Sequence, residues 1–215
     1  IRQVDLDIIH IKKLNKLKFS MANYDLKYAS KIIYGNHNIL ELIPSMDRHK
    51  MAIEEAVKPL LLYLIALIQS YPLNDINKVS KNRKFWILQQ LSKSVLGWST
   101  ALLIKENEYH PSYKKRCEKF VELFSYNQRW CELVKNATKF KLKPYLDIQI
   151  NLEDLWFAIT EVHMDVLKEV ICHYYRVEFS SWSQIINKYK KDFRNIIRKY
   201  YGIITNQPKY KNKIS

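Results

Sequence analysis

Two carboxylates near the start of the chain have the spacing that metal-assisted chemistry requires. Asp5 and Asp7 sit in Val4-Asp5-Leu6-Asp7-Ile8-Ile9-His10-Ile11, whose alternation predicts a strand. On a strand, residues two apart share a face. Val4, Leu6 and Ile8 would then turn to a core and both aspartates to the other side, close enough to share a divalent cation. Phosphoryl and nucleotidyl transfer use such a pair, because a metal must neutralise triphosphate charge and activate the acceptor oxygen. On spacing alone, a solvated pair on an edge strand is the simpler reading.

Other chemistry-bearing residues give less. His163 and His173 fall on one predicted helix, ten residues apart and so on different faces. Glu161-Val162-His163 lacks the second histidine at i+4 that a zinc-protease motif needs, and a core or surface role is expected for both histidines. His37 and His110 fall in predicted loops. No histidine follows an arginine by four to six residues, which argues against a HEPN-type ribonuclease. Cys117, Cys131 and Cys172 are odd in number, widely spaced and in no C-x-x-C pattern, which argues against a disulfide framework or a zinc site.

The context of the aspartates shifts their weighting. Val4-Asp5-Leu6-Asp7-Ile8-Ile9 is followed by Ser30-Lys31-Ile32-Ile33-Tyr34-Gly35-Asn36 and then by Ile39-Leu40, Ile43 and Pro44. This order resembles polymerase-β-like nucleotidyltransferases, in which a strand carries the last of three metal-binding carboxylates. In some members a segment ending Tyr-Gly and a Leu-x-x-Ile-Pro stretch then lead into a helical domain. Tyr109-His110-Pro111-Ser112-Tyr113-Lys114-Lys115-Arg116 and Ala137-Thr138-Lys139-Phe140-Lys141-Leu142-Lys143-Pro144 extend the resemblance, which runs to about residue 175. It implies Asp5 and Asp7 as catalytic metal ligands, Mg2+ or Mn2+ as cofactor and a nucleoside triphosphate as substrate.

Such enzymes also place a Gly-Ser turn and an acidic-x-acidic pair upstream of this strand. No glycine precedes Gly35, so the chain does not supply that turn. Either Asp5 or Asp7 is the third carboxylate, with the first motif lying upstream or lost in a degenerate relative, or Asp5 and Asp7 are themselves the acidic pair. The short distance from Asp7 to Tyr34-Gly35 favours the third carboxylate. The chain opens on Ile1 inside an apolar-patterned segment, which points to residues upstream.

The elements that must position these groups are mostly helical. Only three glycines occur in 215 residues, with 47% hydrophobic residues and 13% aromatics, so long helices with short connections around a substantial core are expected. Tyr24 to Asn36 reads as a short helix, a strand-like run and a turn. Ser45 or Asp47 should cap a long helix through Met51, Val57, Leu60, Leu64 and Ile68, kinked at Pro59. Further helices are expected over about 84–105, from Pro111-Ser112 through Phe124, over about 128–140, from a cap at Asn151 through Ile171, and from Ser181–Ser183 to before Gly202. The expected architecture is mainly α. Residues 1–43 would be the C-terminal part of a nucleotidyltransferase-like α/β domain, 44–206 a helical bundle, and 207–215 a flexible basic tail.

The net charge of +15 and the pI near 9.6 point to an anionic partner, although a basic proteome drift would also produce them. Lysines cluster at Lys78, Lys81, Arg83 and Lys84, and at Lys135, Lys139, Lys141 and Lys143. They are densest at the end, where Lys188, Lys190, Lys191, Arg194, Arg198, Lys199, Lys209, Lys211 and Lys213 face Asp192 alone and Tyr189, Phe193, Tyr200, Tyr201 and Tyr210 are interleaved. Lys188, Lys191, Arg194, Arg198, Lys199, Lys209 and Lys211 are the candidate nucleic-acid contacts. Cations would neutralise phosphates while aromatics stack on bases; the plainer alternative is an amphipathic helix with tyrosines inward and lysines solvated. The longest apolar run, Pro59 to Ile68, is too short to span a bilayer, no signal peptide opens the chain, and a cytoplasmic protein is expected. Three functions follow: a nucleotidyltransferase seen mainly as its substrate-side helical domain, a non-catalytic basic module binding RNA or DNA, and a helical interaction protein.

Overall fold

The computed structural model describes residues 8–71, 76–145 and 150–195, and it is mainly α-helical. The α-helices are α1 (Met21–Ala29), α2 (Glu54–Ser70), α3 (Lys81–Lys105), α4 (Tyr113–Leu123), α5 (Gln128–Leu142), α6 (Leu152–Tyr175) and α7 (Trp182–Lys188), with a further helical stretch at 190–195. Short 3-10 turns occupy Ile11–Lys16, Ile39–Leu42, Arg48–Lys50 and Ile76–Lys78.

Side-chain caps start most of the helices, because the first four amide N–H groups of a helix have no partner within it. Ser20, Ser80, Asn127 and Ser181 each accept a hydrogen bond from an amide three residues on. Asn151 accepts from both Glu153 and Asp154, whose carboxylates also suit the positive end of α6. Asp47 caps as well, but it caps the 3-10 turn Arg48–Lys50, so the long helix expected from Ser45 or Asp47 begins only at Glu54. Pro59 lies inside α2, in its second turn.

Among the described residues there is no strand. Ile8 to His10 have no regular structure, and Ile11, the end of the expected strand, already belongs to a 3-10 turn. The strand-like run at Ile32 to Tyr34 is also irregular, with Ile33 94% and Tyr34 98% exposed. A strand needs a neighbour to take its amide and carbonyl groups; no described segment lies beside this run as a strand. The turn expected after it is present: Gly35 has φ +98, a conformation open to glycine at little cost. Val4 to Asp7 lie outside the described residues.

Helix α3 is the central element, packed by α2, α4, α5 and α6. From Gly97 to Ile104 every residue is buried. A helix apolar or small on all sides belongs inside a fold, and this half of α3 is enclosed accordingly. The segment before α2 joins the same core, with Leu14, Tyr24, Ile43, Met46 and Met51 buried in one cluster with the helices. It is also bonded to the bundle where Glu55 Oε2 accepts from the Met21 amide at 3.0 Å. Within the segment, the Lys27 ammonium donates to the Ile43 carbonyl, and Tyr28 Oη accepts from the Met46 amide at 3.1 Å.

The contact between α2 and α3 is close because Gly97 has no side chain. A methyl group there would overlap the Tyr63 ring, with Cε2 at 2.8 Å from it. Gly97→Ala should therefore destabilise the fold by about 1–3 kcal/mol despite the better helix propensity of alanine. The loss should shrink in a Tyr63→Leu background, as measured by urea unfolding of the four proteins.

His163 is fully buried in the core, as a core histidine rather than a ligand. Its Nδ1 is 2.8 Å from Ser94 Oγ and its Nε2 is 3.0 Å from the Leu60 carbonyl oxygen. A carbonyl only accepts, so Nε2 carries the proton and Nδ1 accepts from the serine. Burial lowers its pKa to about 4, with the Leu60 bond pulling the other way. The unfolded chain thus takes up the proton first as pH falls. The contribution is complete above about pH 6.5 and is lost on the way down through pH 4, at a total of about 3 kcal/mol. Urea unfolding between pH 7 and 4 should show this loss in the native protein, and His163→Gln should lack it.

Candidate anion-binding face

Helices α4 and α5 lie against each other, with the start of α4 beside the end of α5: Lys141 Nζ stands 5.5 Å from the centre of the Tyr113 ring. Arg116 lies over the same ring at 4.3 Å and over Tyr109 at 5.3 Å. Its Nη1 donates to Thr100 Oγ1 at 3.0 Å, while its Nε is buried with no partner among the described residues. The guanidinium is thus held by ring faces and one hydroxyl instead of by a carboxylate at ion-pair distance.

Tyr109 connects this corner to the N-terminal segment. Its hydroxyl donates to Asp25 Oδ1 at 2.7 Å, and its ring meets Tyr24 edge-on at 5.9 Å. Burial pushes the Asp25 carboxyl above its ordinary pKa, against the Tyr109 bond and the Arg116 charge, which pull it down. The Tyr109 hydroxyl is raised, mainly by burial and also by the Asp25 charge. Next to it, His110 is lowered by burial and also by Lys115, Arg48 and Arg116. An open cleft of about 370 Å³ lies there, but Glu108, Glu118 and Glu122 offset its cations, and Lys119 pairs with Glu108 at 3.8 Å and Glu122 at 3.0 Å.

Beyond this corner, Lys139 Nζ lies 5.4 Å from the centre of the Tyr145 ring, and Lys135, Lys139, Lys141 and Lys143 are all exposed. None of these four has an ion-pair partner among the described residues. Elsewhere Lys58 pairs with Glu55, Lys105 with Glu106 and Glu169, and Arg129 with Glu161, while other exposed cations, among them Lys12, Lys13, Lys16 and Lys18, have no ion pair among the described residues. Helix α4 has no acidic residue in its first turn, and its cap Ser112 accepts no amide bond through its side chain.

Asp5, Asp7, Arg198, Lys199, Lys209 and Lys211 lie outside the described residues. Lys188, Lys191 and Arg194 are exposed along 182–195. The interleaved aromatics there face inward: Tyr189 stacks on Tyr175 at 3.5 Å with an interplanar angle of 11°, and Phe193 lies 6.4 Å from Tyr175. This described part is an amphipathic helical segment whose rings serve packing. Among the described residues no group of three or more His, Cys, Asp or Glu could hold a metal ion. A mostly apolar cavity of about 250 Å³ between α3, α5 and α6, walled by Leu91, Val95, Phe140 and Ile159, has no charged group in its lining.

Comparison with protein-family models, with curated proteins and with solved structures finds no match.

The Asp25–Tyr109 bond joins residues 84 apart, and neither residue alone signals it. Tyr109→Phe keeps the ring and leaves the half-buried carboxylate without its donor, so it should cost about 1–3 kcal/mol. In a double-mutant cycle with Asp25→Asn on urea unfolding, most of that cost should appear as coupling between the two positions.

Proposed function

We propose that this chain is the acceptor-side helical part of a metal-dependent nucleotidyltransferase, together with the closing segment of its catalytic domain. The observation that carries this reading is the meeting of two stretches on which the resemblance rests: Tyr109 to Arg116 and Ala137 to Pro144 come together where Lys141 Nζ lies 5.5 Å from the centre of the Tyr113 ring. Asp25, which precedes the stretch Ser30 to Asn36, also bonds Tyr109.

In this reading Asp5 and Asp7 hold Mg2+ or Mn2+, which would neutralise triphosphate charge, and residues 1–43 close a catalytic α/β domain. The Asp25–Tyr109 bond and the core shared by Leu14, Tyr24 and Ile43 hold the described part of that segment against the bundle. Reactant groups held in fixed relation lose less entropy on reaching the transition state. A second reading, a basic helical module that binds RNA or DNA without catalysis, is favoured by the uncompensated lysines of α5 alone.

The test is thermal. The native full-length protein should be stabilised by a nucleoside triphosphate with magnesium or manganese, because a ligand bound to the folded state raises its stability by mass action. Asp5→Asn with Asp7→Asn should remove the metal-dependent part. An unchanged shift in the double variant would remove these aspartates from the site.

A further inference from the structure

We propose that the α4–α5 face is a binding surface for single-stranded nucleic acid, in which Lys139, Lys141 and Lys143 contact phosphates and Tyr145 stacks on a base. The binding stands independently of nucleotidyl transfer. Only the role of the strand as the acceptor rests on that reading.

Lys135 and Lys139 are four apart on one helix, and like charges at that spacing destabilise it by about 0.2–0.5 kcal/mol. Lys141 and Lys143 follow, and Lys114 and Lys115 lie at the neighbouring start of α4. Among the described residues, the only carboxylate bonded to this group is Glu118, 4.0 Å from Lys114. Helix-dipole complementarity accounts for one or two lysines at the end of α5, but not for a cluster that continues past it onto Lys143 and across to α4. A phosphate backbone is the partner whose charges repeat at the scale of such a cluster.

The aromatics decide the kind of polyanion. Tyr145 is 40% exposed, with Lys139 within cation–π range, so a stacking face and a phosphate-binding ammonium stand side by side. Tyr113, held between Arg116 and Lys141, forms the floor of the same patch. Bases are available for stacking in a single strand and not in an intact duplex. An acidic membrane would take the charges, but it gains most from apolar side chains that insert, and among Lys135, Lys139, Lys141 and Lys143 only Leu142, 61% exposed, is of that kind. The C-terminal basic segment offers cations of the same sign, but its described rings, Tyr189 and Phe193, already pack on Tyr175 of α6.

The full chain would be titrated by fluorescence anisotropy, without metal or nucleotide, against labelled single-stranded uridine and thymidine 20-mers at several salt concentrations. The same sequence as a duplex and phosphatidylserine vesicles serve as competing probes. The native protein should prefer the single strand. Lys139→Ala with Lys141→Ala and Lys143→Ala should lower the logarithmic salt slope by about 2, at about 0.7 per lost phosphate contact. Tyr145→Ala should weaken binding at least about fivefold with the slope unchanged. Lys188→Ala with Lys191→Ala and Arg194→Ala should leave the slope nearly intact. Circular dichroism and thermal melting confirm that the exposed substitutions leave the fold unaltered. An unchanged slope in the α5 triple variant overturns the proposal, as does binding to vesicles or duplex in preference to the single strand. Because Asp5 and Asp7 take no part in this measurement, its failure is distinct from a failure of the triphosphate test.

Discussion

The fold depends on enclosing the carboxyl-terminal half of α3. Eight consecutive residues, Gly97 to Ile104, are withdrawn from solvent, and no single neighbouring helix can cover a full turn of another. Helices α2, α4, α5 and α6 are the cover. Because α2 must approach α3 at Gly97, its Tyr63 ring fills the space where a side chain would stand, and the closeness of that crossing sets where the other helices can pack. Trp98 extends the same logic outward, meeting Phe120 of α4 and Trp130 of α5 at 5.6 and 5.7 Å.

An interior of this kind tolerates few polar groups, and most of those present are hydrogen-bonded, Trp98 Nε1 and Thr138 Oγ1 being without a partner among the described residues. His163 links α6 to α3 through Ser94 and to α2 through the Leu60 carbonyl, so one imidazole ties three helices and stays neutral because its surroundings do not solvate a charge. Asp25 and Tyr109 do the same at the edge of the core, where the N-terminal segment meets the loop between α3 and α4. Trp156 Nε1 reaches the Leu67 carbonyl at 3.1 Å and so satisfies the polar end of a large ring between α6 and α2.

The surface follows a different rule. Most lysines and arginines are spent near carboxylates or in water, and the net charge of +15 is therefore not informative about location. The α4–α5 face combines several cations that have no ion pair among the described residues with rings held beneath or beside them. Arg116 shows why the arrangement is stable: its charge is partly buried, yet two tyrosine faces and the Thr100 hydroxyl replace the water it loses.

By itself the sequence determined the helical class, most helix limits and the cap at Asn151. These depend on short-range periodicity and on side chains that reach amides two or three residues away. It also determined that Gly35 would sit in a turn, and it left His163 with a core or surface role, between which the fold chose the core. It misplaced the start of α2 by reading an apolar pattern through Met51, because Met51 is buried just after the 3-10 turn Arg48–Lys50 and so continues the apolar pattern of the helix without belonging to it. It read Ile32 to Tyr34 as strand-like, because alternation describes a pattern and cannot supply the neighbouring strand. Tertiary structure alone decided that Asp25 would find Tyr109, that the lysines of α5 would join the start of α4, and that Tyr189 and Phe193 would turn inward. Each of these is a contact between residues whose chain neighbours carry no trace of the partner, made only when the enclosure of α3 brings the helices together.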